Sequence, residues 1–211
     1  MGLRGKRVLI TSGPTREYLD PIRFLTNASS GRMGAALARA ALKRGARVTV
    51  VSGPCEAELP KNASVVQVVT GLEMLRAALK AAKSADVIIA AAAVSDWRAA
   101  SPAKKKIKRS SSSLRLTLKP NPDIIKAVAR RRRPGQDIVG FALETHDRLA
   151  HASAKMKAKD LDLIVANGPA ALGSDRGAAT LLLRGGWKRD LSTASKDALA
   201  AAILGAVEDL A

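Results

Sequence analysis

The sequence predicts an α/β domain with three layers, in which helices cover both faces of a mainly parallel sheet. Short β-branched runs alternate with alanine-rich helical patterns along most of the chain, as they do in successive strand–helix–strand units. Residues 87–94 (VIIAAAAV) are apolar without interruption. Such a run is typical of a strand that is buried on both faces, as the strands of a parallel sheet are.

The individual elements follow from this alternation in chain order. Residues 7–11 (RVLIT) predict the first strand, and residues 31–44 predict the first helix, which Gly45 ends. The later elements expected are strands at 48–52, 64–69, 87–94, 138–142 and 163–166, and helices at 72–82, at 148–158 and from Ser195 onward. No internal repeat and no long linker divides the sequence, so residues 1–211 are expected to form a single domain.

One segment, residues 101–119, departs from the alternation. It holds a basic cluster at 104–109 (KKKIKR) and then a run of four serines. Residues 114–118 (LRLTL) alternate strictly between apolar and polar side chains. That alternation predicts a half-exposed strand, which is typical of an antiparallel hairpin or an interface.

Composition excludes several classes of protein. Of the 211 residues, 47% are hydrophobic, which is too many for a disordered basic tail. The single cysteine, Cys55, excludes an internal disulfide framework and a cysteine-cluster zinc site. No apolar run approaches the roughly 20 residues that span a bilayer, and the first apolar run is too brief for a signal peptide. We therefore expect a cytoplasmic protein.

The charge of the chain indicates its partners only in broad terms. The formal net charge is +18, which predicts anionic partners. Charge alone does not choose between nucleic acid, a membrane surface and phosphorylated metabolites. The choice depends on the motifs.

The loop after the first strand carries the first candidate site. Residues 10–16 (ITSGPTR) lead to residues 27–34 (NASSGRMG) at the start of the first helix. Glycine and serine there let backbone N–H groups approach an anion, and the helix N-terminus adds positive potential; a plain cap and tight turn would use the same residues. A dinucleotide fingerprint is disfavoured, because the glycine-rich turn comes about fifteen residues late and Ser52, not an acidic residue, ends the second strand.

A second candidate lies at residues 91–98 (AAAVSDWR), after the buried strand. Open α/β sheets bind ligands at the carboxyl ends of their parallel strands. Small alanines let a ligand lie against the backbone, and Asp96 could accept a hydrogen bond or lie near a metal. A core strand that leaves the sheet through an Asp-containing turn would have the same pattern.

The remaining patterns each fit a binding site or a plainer structural role. The basic cluster at 104–109 fits a loop that delivers a lysine to a polyphosphate, or a solvated loop. Asn121 or Asp123 would cap the next helix. Residues 140–145 (GFALET) lie at a strand end, Asn167 follows a strand, and Lys155 and Lys159 share one helix face. Residues 130–133 are a basic helix terminus. We interpret His146 and His151 as surface residues without a ligand cluster.

Together and in this order, the motifs resemble one family, phosphopantothenoylcysteine synthetase (phosphopantothenate–cysteine ligase), an enzyme of coenzyme A biosynthesis that is often fused to a flavin-dependent decarboxylase. The resemblance runs from the first strand to about residue 185. It is carried by residues 11–34, 92–98 (AAVSDWR), 106–108 (KIK), 121–125 (NPDII), 140–145, 162–167 (DLIVAN) and the two lysines at 155 and 159. The stretch 11–34 is highly specific, and the others support it.

This resemblance implies a Rossmann-like α/β fold that dimerises through an antiparallel extension, for which the segment 101–119 would serve as flexible loop and extension. It also implies a reaction in two steps. A nucleoside triphosphate, CTP or ATP, activates the carboxylate of 4′-phosphopantothenate as an acyl nucleotidyl anhydride and releases pyrophosphate. The amine of L-cysteine then displaces the nucleoside monophosphate. Mg²⁺ is expected, with ligands that the sequence does not identify.

The resemblance assigns roles to residues of this sequence. Asn27 would orient the anhydride in the second step, and Lys106 would stabilise charge during nucleotidyl transfer. Arg23 would reach the substrate phosphate of the neighbouring subunit. Nucleotide phosphates would contact Gly13, Ser29, Gly31 and Gly34; the acyl end of the substrate would contact Asn27, Ala92 and Ala93, with Asp96 there or on the nucleotide; the base and phosphate pocket would comprise Asn121, Pro122, Asp123, Ile124, Phe141, Lys155, Lys159 and Asn167.

Two other functions stay open at this point, an NAD(P)-dependent Rossmann oxidoreductase and a basic nucleic-acid-binding module. The missing fingerprint disfavours the first, and an aromatic content of 2% leaves few stacking platforms for the second. Because the chain begins directly at the first strand, we expect a stand-alone synthetase whose decarboxylase is a separate chain. Neither a membrane nor nucleic acid is an expected partner.

Overall fold

A computed structural model describes residues 2–109, 113–168 and 173–210. The helices are α1 (Arg32–Lys43), α2 (Gly71–Ala82), α3 (Ile124–Ala129), α4 (Arg148–Ala158) and α5 (Lys196–Glu208). The strands are β1 (Arg7–Ser12), β2 (Arg16–Tyr18), β3 (Phe24–Thr26), β4 (Arg47–Ser52), β5 (Ser64–Gln67), β6 (Val87–Ala90), β7 (Trp97–Ala99), β8 (Leu118–Pro120), β9 (Asp137–Leu143), β10 (Leu163–Asn167), β11 (Arg176–Leu183) and β12 (Lys188–Ser195).

The central sheet has eight strands in the order β12-β11-β10-β9-β6-β1-β4-β5. The strands from β10 to β5 in this order pair in parallel, whereas β11 and β12 add an antiparallel edge. Numbered by their place in the chain, the parallel strands have the order 3-2-1-4-5-6, which is that of a Rossmann sheet. The predicted Rossmann-like fold is confirmed. The point at which the order reverses lies between β1 and β6.

The core lies on both faces of this sheet, because successive residues of a strand point to opposite sides. Ile10 packs in a cluster with Leu37 of α1 and Ile203 of α5. Leu9 packs in a second cluster with Met74 of α2 and residues of α3 and α4. The three predicted layers are therefore present. Among the helices described, none combines the length and the apolar character needed to cross a bilayer.

The structure differs from the expected elements in several places. β6 ends at Ala90, four residues before the end of the apolar run, because the chain leaves the sheet there to line a cavity. The strand predicted at 114–118 is wrong for all but its last residue: β8 covers only Leu118–Pro120 and pairs antiparallel with β7. The segment 101–119 is thus the excursion of a hairpin, and its residues 110–112 lie outside the described part.

The basic run at 130–133 is a helix terminus, as expected, and its side chains stabilise the fold. The Arg132 guanidinium pairs with Asp162 at 2.5 Å, and that carboxylate also accepts the N–H of Ile138 at 2.8 Å. Arg133 donates to the carbonyl of Ala85 at 2.8 Å. Part of the positive charge therefore serves to join α3, β9 and β10.

Two glycines fix how α1 meets the sheet. Gly31 precedes the helix with φ 75°, a left-handed conformation that favours glycine, and a Cβ there would lie 2.5 Å from Cys55 Sγ. A Cβ on Gly34 would lie 2.1 Å from the Oγ of Ser12, which ends β1. The start of α1 can approach the carboxyl end of β1 only because both positions lack a side chain.

We predict that Gly34→Ala lowers the free energy of unfolding by about 2 kcal/mol, because the new methyl group overpacks a buried contact. The matched control is Gly205→Ala in α5, where a Cβ meets nothing within 4 Å. That substitution should instead stabilise the fold by about 0.5–1 kcal/mol, since alanine restricts the unfolded chain. Urea unfolding of both variants measures whether Gly34→Ala lowers the free energy of unfolding and Gly205→Ala raises it. A Gly34→Ala variant as stable as the wild type would contradict the close approach.

Candidate functional site

A pocket of about 510 Å³ opens at the carboxyl ends of the parallel strands, at the reversal point between β1 and β6. Open α/β sheets bind their ligands at this place. The pocket brings together most of the residues that the sequence singled out: Asn27, Ser29, Gly31, Gly34, Ala92, Ala93, Asp96, Asn121, Pro122, Asp123, Ile124, Phe141, Lys155, Lys159 and Asn167.

The start of α1 forms one wall of the pocket. Gly31 is its N-cap and offers no side-chain acceptor to the first N–H groups of the helix, and the first turn holds no acidic residue. These N–H groups and the helix dipole are therefore left for an anion from outside the helix. Arg32 adds a cation in the same turn, at the positive end of the helix dipole. Its charge is unfavourable for the helix but adds to the positive potential at this wall.

Asn27 is anchored by the chain that leaves β6. Its amide nitrogen donates to the carbonyl oxygens of Ala93 at 3.2 Å and of Val94 at 3.0 Å. With the NH₂ group engaged in this way, the amide oxygen Oδ1 is the atom left to accept a hydrogen bond from a ligand. The backbone N–H of Ala93 in turn donates to the carbonyl of Gly13 at 2.9 Å, which holds the loop after β6 against the loop after β1.

Asn121 and Asp123 have structural roles as well as a place in the pocket. The Asn121 amide donates to the carbonyl of Ser95 at 2.8 Å and accepts from Arg98 at 2.9 Å, so this side chain ties β8 to the loop before β7. Asp123 caps α3 through the N–H of Lys126 at 3.1 Å. The capping role that the sequence allowed for Asn121 or Asp123 belongs to Asp123.

Lys155 of α4 and Lys159, the C-cap of this helix, supply cations on the opposite wall. Lys159 Nζ lies 2.7 Å from Asp123 Oδ2. Burial raises the pKa of the Asp123 carboxyl, but the Lys159 ammonium and the Lys126 N–H outweigh it and lower the pKa overall. Burial, and next the charge of Lys159, lower the pKa of Lys155. The charges of Glu144, Asp123 and Asp96 oppose this lowering, so Lys155 and Lys159 lie among carboxylates on this side of the pocket.

Three predicted site residues lie outside the pocket: Gly13, Arg23 and Lys106. Gly13 lies beneath it, with φ 74° and its carbonyl bonded to Ala93. Arg23 pairs with the buried carboxylate of Asp20 at 2.5 Å and donates to the carbonyl of Ile107 at 2.8 Å. Asp20 also accepts the N–H of Ile107 at 3.1 Å, so this pair holds the loop that carries Lys106. The guanidinium of Arg23 keeps the pKa of the Asp20 carboxyl far below its ordinary value.

The pocket also contains residues that the sequence reasoning missed. Arg32, Gly173 and Lys196 line it, and the last two come from beyond residue 168, where no role was assigned. The sequence feature that could have pointed to Lys196 is its place directly after Ser195, a residue type that caps helices. Ser195 does cap α5, through the N–H of Ala198 at 3.2 Å. The signal for Arg32 was a basic residue in the first turn of a helix.

The two histidines are exposed, as expected, but they have neighbours that can bind a metal. Ligand atoms of His146, Asp147 and His151 lie within 4.8 Å of one another. Nδ1 of His151 lies 3.3 Å from Glu144 Oε2. The sequence pattern did not reveal this grouping of ligand atoms, which lies on the surface and outside the pocket.

The fold and the pocket define a Rossmann-like α/β domain whose pocket at the reversal point is lined by lysines, an arginine and the start of a helix. Residues 3–210 match the family described as the C-terminal domain of the DNA/pantothenate metabolism flavoprotein. Since this match covers nearly the whole chain, the protein belongs to that family. The resemblance found in the motifs is thereby confirmed.

Curated relatives agree with this membership. The chain is 46% identical over 208 residues to the coenzyme A biosynthesis bifunctional protein CoaBC of Vibrio cholerae, which covers 96% of this chain and 52% of the relative. It is 42% identical over 199 residues to the protein of the same name from Bacillus subtilis, with 92% of this chain and 49% of the relative covered. The chain therefore spans about half the length of these relatives.

Solved structures agree on the fold. The crystal structure of the C-terminal domain of a bifunctional CoaBC protein superimposes with a TM-score of 0.85 at 34% identity, covering 99% of this chain and 96% of that one. A Cab2 variant in complex with phosphopantothenate-cysteine has a TM-score of 0.78 at 20% identity, covering 98% of this chain and 87% of that one. At this identity the second likeness shows the fold alone.

Proposed function

We propose that this chain joins 4′-phosphopantothenate to L-cysteine in coenzyme A biosynthesis, through an acyl nucleotidyl intermediate. The observation that carries the proposal is the pocket at the reversal point. It places the glycine-rich helix start, Asn27 and the paired lysines of α4 around one cavity. Family membership supports a place in coenzyme A biosynthesis, because the relatives are named coenzyme A biosynthesis bifunctional proteins.

In the first step, the substrate carboxylate attacks the α-phosphorus of the nucleoside triphosphate. The new bond joins a carboxylate oxygen to phosphorus, and pyrophosphate leaves. This step brings a triphosphate and a phosphorylated substrate together, so it needs cations and backbone donors that are in place beforehand. The N–H groups at the start of α1, with Lys155 and Lys159 across the cavity, supply them.

Mg²⁺ would neutralise part of the triphosphate charge, and the residues present fit it. Mg²⁺ prefers oxygen ligands and is usually held by one or two carboxylates together with substrate phosphates and water. Asp96 and Asp123 are the carboxylates that line the described part of the pocket. Asp123 is engaged by Lys159 and by the helix cap, so Asp96 is the carboxylate we assign to the ion.

In the second step, the cysteine amine attacks the acyl carbon, a C–N bond forms, and the nucleoside monophosphate leaves with the former carboxylate oxygen. The attacking nitrogen gives up a proton to solvent. Asn27 fits a role here, because its NH₂ is held by the carbonyls of Ala93 and Val94 and its Oδ1 is left to accept the N–H of the amine. The resemblance implies that Asn27 orients the anhydride, whereas the anchored amide supports a contact that orients the amine towards the anhydride.

Arg23 is proposed to act across a homodimer, and Lys106 to stabilise charge during nucleotidyl transfer from its loop. The antiparallel arm of β7 and β8 exposes Trp97 (52%), Leu114 (55%) and Leu116 (42%), which is unusual for an isolated surface and fits a subunit contact. Arg23 and the loop of Lys106 lie outside the pocket of their own chain and are joined through Asp20. Dimerisation would bring Arg23 to the substrate phosphate of the neighbouring subunit.

The two other functions that the sequence left open have less support. Ser52 ends β4, where a dinucleotide-binding protein has an acidic ribose partner, and its hydroxyl donates to the carbonyl of Gly53 at 3.0 Å. Arg132 and Arg133, which a nucleic-acid module would present to phosphates, are occupied within the fold. CTP and ATP share the same phosphate contacts, and we propose CTP as the preferred co-substrate with ATP as the alternative.

We expect release of pyrophosphate from CTP, or from ATP, that depends on 4′-phosphopantothenate and yields phosphopantothenoylcysteine when cysteine is present. A coupled pyrophosphate assay with each nucleotide measures this directly. The control omits phosphopantothenate and should give no release. Absence of release with both nucleotides, from protein shown to be folded, would contradict the proposed function.

A further inference from the structure

The two histidines of the chain meet at the start of α4, on the surface. One ring nitrogen of each and a carboxylate oxygen of Asp147 all lie within 4.8 Å of one another, and the three side chains are exposed. The rings of His146 and His151 are nearly perpendicular, with their centroids 5.0 Å apart. The sequence holds two histidines in all, and the proposed mechanism uses neither. The fold thus brings both imidazoles of the protein to one carboxylate.

The carboxylate of Asp147 does not serve the helix that it precedes. Asp147 is the N-cap of α4, a position where an aspartate usually accepts an N–H of the first turn, but its side chain makes no such hydrogen bond. Its φ is 42°, a left-handed conformation, whereas a usual N-cap is extended. The carboxylate lies with the imidazoles instead.

Glu144 provides a contact that metal-binding histidines usually have. Such a histidine donates its second ring N–H to a carboxylate, which fixes the ring and strengthens it as a ligand. Oε2 of Glu144 lies 3.3 Å from Nδ1 of His151, and the backbone N–H of Glu144 donates to the carbonyl of Asn167 at 3.1 Å. Thr145 Oγ1 lies 3.0 Å from Nδ1 of His146. Each ring therefore has one nitrogen beside a polar neighbour and a second nitrogen to offer to a metal.

We propose that His146, Asp147 and His151 bind Zn²⁺ or a similar divalent transition-metal ion, with Glu144 as the orienting partner of His151. Two imidazoles and a carboxylate form the ligand set of open zinc sites, in which water takes the fourth position. Ligand atoms about 2.1 Å from a tetrahedral ion lie about 3.4 Å apart, so the side chains must approach by at most about 1.4 Å. Rotation of exposed side chains supplies this movement. The ion would join the loop after β9 to the first turn of α4, and this site does not rest on the proposed function.

Calorimetry with Zn²⁺ tests the site on the full chain without a histidine tag, at about pH 8, which favours the neutral imidazole that metals bind. We expect one ion per chain with a Kd of about 10 μM or below. His146→Gln and His151→Gln should each weaken binding at least about 100-fold, and loss of the orienting carboxylate in Glu144→Gln should weaken it about tenfold. Asp147→Asn should also weaken binding about tenfold or more, since asparagine tolerates the left-handed backbone but lacks the charge.

Two control variants should bind Zn²⁺ as the wild type does. Asp209→Asn makes the same chemical change as Asp147→Asn at an exposed position where α5 ends, and Cys55→Ser removes the one thiol of the chain. Zn²⁺ should also raise the temperature of thermal unfolding of the wild type, but not that of a variant in which both histidines are replaced by glutamine. A wild type that binds no Zn²⁺ would overturn the inference, as would binding that survives in both histidine variants or is lost in Cys55→Ser.

Discussion

Replacing Asn27 by Asp should stop product formation while pyrophosphate release continues to about one equivalent per site. The substitution removes the NH₂ that donates to the carbonyls of Ala93 and Val94. A carboxylate in its place is repelled by those carbonyl oxygens and no longer presents a fixed acceptor to the cysteine amine. We expect steady turnover to fall at least about 100-fold, a magnitude typical of losing one fixed polar contact in the transition state.

Rapid quenching and mass spectrometry of Asn27→Asp should reveal an accumulated acyl nucleotide. The matched control is Asn62→Asp, which makes the same chemical change at an exposed position outside this pocket. Its turnover should equal that of the wild type. Unchanged turnover in Asn27→Asp would contradict the role in the second step, and loss of pyrophosphate release as well would move Asn27 to the first step.

Replacing Lys155 by Met should raise the KM for the nucleotide about tenfold to 100-fold, because a desolvated cation contact to phosphate is lost. The stability of the fold should not fall. Burial lowers the pKa of Lys155 in the folded state, so the charged side chain opposes folding. The opposition is complete at pH values below the folded-state pKa of this lysine. This opposition decreases as the pH rises towards the ordinary lysine pKa.

The same helix provides the control. Lys157 is exposed on α4 and lies outside the pocket, so Lys157→Met should leave the KM and kcat unchanged. Steady-state kinetics and thermal unfolding of both variants separate the two residues. A Lys155→Met enzyme with wild-type KM, or one that unfolds well below the wild type, would contradict the assignment of this lysine to the site.

The parallel part of the fold could be predicted because its strands are buried and therefore apolar. β6 and β10 show this in their sequences, VIIA and LIVAN. β12 (KRDLSTAS) could not be recognised, because it is an exposed edge strand and its pairing with β11 depends on distant contacts. The same reason explains the error at 114–118, where alternation reflects an exposed arm and only Leu118 pairs with β7.

The motifs and patterns of the sequence predicted most of the residues that we assign to the site. Residues from Asn27 to Gly34, residues from Ala92 to Asp96, and the two lysines at 155 and 159 meet in one pocket at the carboxyl ends of the parallel strands. Lys196 could not be found in this way, since it reaches the pocket from a helix that follows the antiparallel edge. Arg23 and Lys106 stay predictions, because the proposed role of Arg23 depends on a second subunit and Lys106 lies on a loop outside the pocket.

The central claim is that the carboxylate of phosphopantothenate is activated by transfer of a nucleotidyl group. The most direct measurement uses phosphopantothenate labelled with oxygen-18 in its carboxylate, with cysteine and the nucleoside triphosphate present. The account predicts that one labelled oxygen appears in the nucleoside monophosphate and none in pyrophosphate. Label in inorganic phosphate, accompanied by a nucleoside diphosphate, would contradict the account and indicate an acyl phosphate instead.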